Sequence, residues 1–80
     1  MAYDSPKAAH FTAITIEGDA IPEHITLNLR WLVASKVECE FPDLLGIKLS
    51  DIPRIQEICE DYSAQNLKIS FNVPAHLTYD

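Results

Sequence analysis

Ser50–Pro74, SDIPRIQEICEDYSAQNLKISFNVP, changes its hydrophobic period midway, and that change decides the fold. Ile52, Ile55, Ile58, Cys59 and Tyr62 recur at helical spacing and make one apolar face. Glu57, Glu60 and Asp61 fall on the opposite side. Ser50 or Asp51 can cap the helix by accepting a hydrogen bond from a backbone N–H of its first turn. Pro53 is tolerated there because its missing N–H would have no helical partner. Asn66 suits a left-handed residue that ends the helix. From Leu67 the period is two: Leu67, Ile69, Phe71 and Val73 point one way, and Lys68, Ser70 and Asn72 the other. The stretch predicts a capped helix running straight into a strand.

Upstream, His24–Val33 alternates in the same way. Ile25, Leu27, Leu29, Trp31 and Val33 take the odd positions, and a helical template would place Asn28 and Lys36 on the Ile25/Leu29/Leu32 stripe. The alternation resumes with Val37, Cys39 and Phe41 against Glu38 and Glu40. A single strand of that length would be unusual, so a turn or bulge is expected at Ala34–Ser35–Lys36, making a hairpin or a sharply bent strand. His10–Glu17, HFTAITIE, is rich in β-branched residues and predicts another strand, followed by a turn at Gly18–Asp19. Pro42–Leu49 reads as a connection in which Leu44 and Leu45 plug the core and Gly46 ends a helical turn in left-handed geometry. The order β-β-(β)-α-β predicts an α+β fold: an antiparallel sheet of three or four strands with one helix packed on a face. Residues 1–80 read as a single domain, with 1–9 and 75–80 as flexible arms.

Eighty residues can bury one modest core, and 48% apolar content argues against disorder. No apolar run approaches the roughly 18–20 residues of a membrane span. The start, MAYDSPKAAHF, has an acidic residue at Asp4 and no apolar stretch of signal-peptide type, so the chain is expected to stay in the compartment where it is made. Cys39 and Cys59 each lie on an apolar face and read as buried small hydrophobes; without a paired CxxC or HxxxH they lack a metal-ligand count. Twelve Asp and Glu stand against six Lys and Arg, a net charge of −6. That balance repels nucleic acid and anionic membranes and favours basic partners.

Signatures of catalysis are lacking. His10, His24 and His76 are far apart in sequence and read as surface histidines. Acidic neighbours flank both cysteines, which raises a thiol pKa and works against nucleophilic use. With only Gly18 and Gly46 there is no phosphate-cradling loop, and no catalytic residue, metal or cofactor is expected. The cations Lys7, Arg30, Lys36, Lys48, Arg54 and Lys68 are scattered and form no basic stripe for direct contact with nucleic acid. What remains is an acidic surface: Glu38, Glu40, Asp43, Asp51, Glu57, Glu60 and Asp61. Like charges at helical i, i+4 spacing do not help folding, so this surface is the candidate partner-binding site, suited to a basic groove that normally holds DNA or RNA.

A free-standing acidic chain of this size without a catalytic motif, carrying the acidic helix IQEICEDY (Ile55–Tyr62), resembles the anti-CRISPR proteins of phages and mobile elements. The resemblance implies a non-enzymatic inhibitor, in the cytoplasm of a bacterial host, that binds a CRISPR effector complex where target DNA would bind. An immunity or antitoxin protein that neutralises a basic toxin uses the same physics. A third reading is a self-associating structural module, a homodimer paired through an open edge at Leu67–Val73 or His10–Glu17.

Overall fold

The computed structural model describes residues 6–77, and of His76 the backbone only. Its elements, in chain order, are α1 (Ala8–Thr12), β1 (Ile14–Gly18), α2 (Glu23–Glu40), α3 (Ile52–Asp61) and β2 (Leu67–Phe71). Short 3-10 turns lie at Leu44–Gly46, Leu49–Asp51 and Ala75–Leu77. The α+β class stands, but its details differ from the sequence reading. Among the described residues the sheet has two strands, not three or four, and there are three helices rather than one.

The helix-to-strand reading of the 50–74 stretch holds. Ile55, Ile58 and Cys59 of α3 are buried, and Ile52 and Tyr62 pack on the core from its edge. In β2, Leu67, Ile69 and Phe71 are buried while Lys68 is exposed, as period two requires. Val73 falls beyond the strand and is exposed. Asn66 is not left-handed, nor is Gly46; the sole non-glycine residue described with positive φ is Ala20, at 54°, in the turn after β1. Asp51 makes no side-chain cap for α3; its carboxylate instead accepts from the Lys48 N–H at 3.0 Å and closes the 3-10 turn before it.

The largest correction lies at 24–41, where a hairpin or a sharply bent strand was expected and one helix of 18 residues, Glu23–Glu40, stands. Odd-numbered apolar residues are compatible with a helix when apolar side chains surround it. Val33, Ala34 and Val37 form the seam that packs, and Ile25, Leu27 and Leu32 stay exposed. Neither Gly nor Pro interrupts Glu23–Glu40, Pro22 stands at the N-cap, and Pro42 follows the end. The expected turn at Ala34–Ser35–Lys36 lies inside the helix, with Ala34 fully buried. The strand expected at 10–17 divides: its first part coils into α1, and β1 begins only at Ile14.

β1 and β2 pair antiparallel, Ile14 with Phe71 through Gly18 with Leu67. Ala13 and Ile14 join Leu67, Ile69 and Phe71 in a core completed by α2 and α3. On the other sheet face, the Thr15 hydroxyl donates to Asn72 Oδ1 at 3.0 Å. A Cβ on Gly18 would collide with Ile21 Cδ1 and come within 2.8 Å of the Asn66 carbonyl oxygen, so this end of the sheet closes only over glycine. Of the stretches expected as arms, residues 1–5 and 78–80 lie outside the described residues; Pro6 and Leu77 are buried.

His10, expected at the surface, is fully buried. Its Nε2 lies 2.9 Å from the Phe41 carbonyl oxygen. A carbonyl only accepts, so Nε2 carries a hydrogen and donates it. The ring's Nδ1 is buried without a partner. Together with Lys7 Nζ, which donates to the Pro42 carbonyl at 2.8 Å, this bond latches α1 to the end of α2.

Two substitutions test this core. Ile55→Ala should lower unfolding free energy by about 2–5 kcal/mol, because it opens a cavity where nothing is exposed. Leu45, expected to plug the core, is 77% exposed, and Leu45→Ala should stay within about 0.5 kcal/mol of the parent in the same denaturant titration.

Candidate functional site: the acidic surface

The candidate acids come from the last turn of α2, the 42–51 connection and the outer face of α3. Arg54 ties them together. Its Nε donates to Glu40 Oε1 at 2.9 Å and its Nη2 to Glu40 Oε2 at 2.7 Å, a two-pronged grip on one carboxylate. Its Nη1 reaches Glu57 Oε1 at 2.7 Å. Lys36 adds a longer contact to Glu40, at 3.8 Å. The hydrogen bonds from Arg54 hold the Glu40 carboxyl below its usual range, and the same bonds, Glu40's first, raise the Arg54 pKa.

Most of the remaining candidates are also engaged within the fold. Glu38 Oε2 accepts from the Lys7 backbone N–H at 3.2 Å. Asp43 Oδ1 accepts from the Leu45 N–H at 3.1 Å and starts the first 3-10 turn. Asp51 closes the second. Glu38, Glu40, Asp43, Asp51 and Glu57 therefore each hold a neighbour. Glu60 and Asp61 differ: both are exposed, and their side chains form no hydrogen bond or ion pair among the described residues.

Their position matters. Glu60 and Asp61 occupy the last turn of α3, which carries no basic residue; the last turn of α2, with Glu38 and Glu40, carries none either. The unsatisfied carbonyls of a helix C-terminus already present partial negative charge, so acids placed there are opposed by the helix dipole. Glu57, Glu60 and Asp61, at i, i+3 and i+4, sit close together and add mutual repulsion. The result is a negative ridge that runs from the Glu40–Arg54–Glu57 junction to the end of α3.

Beside the ridge lies a groove between α3 and β2, lined by Gln56, Cys59, Glu60, Ser63, Lys68 and Ile69, with Ser70 at its edge. Burial pushes the Cys59 thiol up to about 11, and the charge of Glu60 acts in the same direction. That thiol stays protonated at neutral pH and is no nucleophile there. Cys39, expected to be buried, is exposed on α2. Among the described residues no cluster of three or more His, Cys, Asp or Glu could hold a metal ion, and no helix is long and apolar enough to cross a membrane.

Sequence reasoning found the exposed acids but missed the role of Arg54, whose partner Glu40 is remote in sequence. It also missed the groove, which exists only once α3 and β2 are set side by side.

The two titrating groups give opposite pH signatures. The Cys59 pKa is raised from 9.0 in the free thiol, so its contribution to stability is intact below about 9 and is lost as pH rises toward about 11. Denaturant midpoints should fall across that window, and Cys59→Ala should flatten the fall. Glu40 is depressed, so its contribution is present above the ordinary carboxylate range and disappears as pH falls through its lowered value. A carboxyl NMR titration should show Glu40 returning to the ordinary range in Arg54→Gln.

Compared with known protein families, with curated proteins and with solved structures, the chain matches none.

Proposed function

We propose that this chain is a non-enzymatic acidic inhibitor that binds a nucleic-acid-handling complex, in the manner of anti-CRISPR proteins, and occupies its basic surface. The observation that carries this reading is the ridge at the end of α3, where Glu60 and Asp61 are exposed, without a hydrogen bond or ion pair among the described residues, and opposed by the helix dipole. Fold stability gives no reason for acids there; a cationic partner surface does. Glu57 supports them, while Glu38, Glu40, Asp43 and Asp51 add to the field although their oxygens are engaged within the fold. The net charge of −6 steers the chain toward a positively charged partner. An antitoxin directed at a basic enzyme would use the same ridge, and the partner's identity separates the two.

Self-association is the second reading. Ile25, Leu27 and Leu32 are about two-fifths exposed, and Ile25 and Leu32 lie together on the side of α2 away from the core. Light scattering behind size exclusion tests it: a strict monomer at high concentration removes it.

For the lead reading, affinity capture from a bacterial lysate identifies the partner, and the charge-reversal variant Glu60→Lys/Asp61→Lys then tests the ridge. Its association rate at low salt should drop by about tenfold or more, with a weaker salt dependence than the parent's. Unchanged association would remove the ridge from the interface.

A further inference from the structure

α2 buries one side against the core and leaves a second side apolar. Ile25, Leu32 and Cys39 stand at i, i+7 and i+14, a stripe along one side of the helix, and all three are exposed. Leu32 is the midpoint, seven residues from each of the others. The flanking positions, Asn28 and Ser35 on one side and Lys36 on the other, carry no acid. In a chain with twelve acids and six bases, two copies meet here without setting the acids of the contacting helices against each other.

We propose that this stripe is a homodimer interface, in which α2 packs antiparallel on α2 of a second copy, Leu32 on Leu32 at the two-fold axis and Ile25 on Cys39 to either side. The proposal gives self-association a geometry, rests on that reading, and is independent of the inhibitor reading. A two-fold axis requires that if one residue meets another, the reverse contact forms as well. Equal spacing about Leu32 meets that requirement in an antiparallel pair. A seven-residue repeat drifts by about 20° per heptad around a straight helix, so the two helices cross at about 20° to keep the stripe in contact.

Charge selects the direction. A parallel pair would set the two C-terminal ends of α2 side by side, with Glu38 and Glu40 of both copies and two helix dipoles of the same sense. In the antiparallel pair each acidic end lies beside the N-terminal end of the other α2, where free backbone N–H groups carry partial positive charge. Glu23, the acid of that first turn, is nine residues from Leu32 and therefore on the opposite side of the helix from the stripe. Other occupants fit less well. A basic protein is drawn to the acids at the end of α3 rather than to a side that has none, and a net charge of −6 repels an anionic membrane.

Disulfide trapping on the full chain reads the arrangement. Residues 25 and 39 of one helix are about 21 Å apart, beyond the reach of a disulfide within one copy. Cys59 is buried and takes no part. Under a mild oxidant, Ile25→Cys with Cys39 in place should form a covalent dimer, whereas the parent and Ile25→Cys/Cys39→Ser should not. Leu32→Glu, at an exposed position, should leave thermal unfolding unchanged, weaken dimerisation at least about tenfold in sedimentation equilibrium, and suppress trapping when combined with Ile25→Cys. A dimer trapped through Cys39 in the parent, or in Ile25→Cys/Cys39→Ser, is parallel and overturns the antiparallel arrangement while self-association stands. Trapping undiminished by Leu32→Glu is collisional and overturns it as well. A parent that stays strictly monomeric at high concentration overturns the arrangement and self-association together.

Discussion

Ile55, Ile58 and Cys59 share one buried cluster with Leu67, Ile69 and Phe71, and the seating of α3 on β2 is the contact that the other elements require. A two-stranded sheet has little stability in water by itself, and here its strands come from opposite ends of the chain. Closing so long a loop costs entropy before any ladder hydrogen bond forms. α3 and β2 avoid that cost, since a tight turn around Ala64–Leu67 joins them and places their apolar faces together. They form a local corner onto which β1 docks. Val33, Ala34 and Val37 of α2 then close the core, and the His10–Phe41 bond holds α1 against the end of α2.

What could be read from the sequence follows from this hierarchy. The α3–β2 corner was legible because each part has a single dominant period and only one side to bury. α2 was not, because its apolar residues fit both a period of two and a helix wrapped in apolar side chains; only the tertiary seam at Val33, Ala34 and Val37 decides between them. The missing glycine at the supposed 34–36 turn was the signal for an unbroken helix. His10 shows the converse case, a polar residue drawn into the core because one carbonyl beyond the end of α2 accepts its hydrogen. Glu40, Asp43, Glu57, Glu60 and Asp61 are exposed as their pattern implied, while Glu38 and Asp51 are half-buried; which of the acids the fold engages was not legible, because Arg54–Glu40 and Lys7–Glu38 are long-range pairs.

Those pairs explain how a chain with twice as many acids as bases folds at all. The cations are few, and Arg54 serves two carboxylates at once. Its planar guanidinium grips Glu40 with two parallel bonds and still extends an Nη1 to Glu57, a geometry that a lysine ammonium could not reproduce. Backbone N–H groups at Lys7, Leu45 and Lys48 serve as donors for Glu38, Asp43 and Asp51, so repulsion in this part of the surface is offset without further cations. The offset stops at the end of α3, where, among the described residues, neither a side chain nor a backbone donor reaches Glu60 or Asp61.

The acids at the end of α3 stand beside the groove between α3 and β2, with Glu60 lining it and Lys68 on its strand side. On the side of β2 away from β1, Ala64 and the Ser63 hydroxyl take up the backbone of Leu67 and the Ile69 N–H, so the corner closes through its own turn. The charge above that turn is of one sign, and like charges at helical spacing oppose the folded helix that carries them. The burial of Ile55, Ile58 and Cys59 against Leu67, Ile69 and Phe71 must offset that repulsion, which makes the apolar seam the condition for keeping the acids where they are.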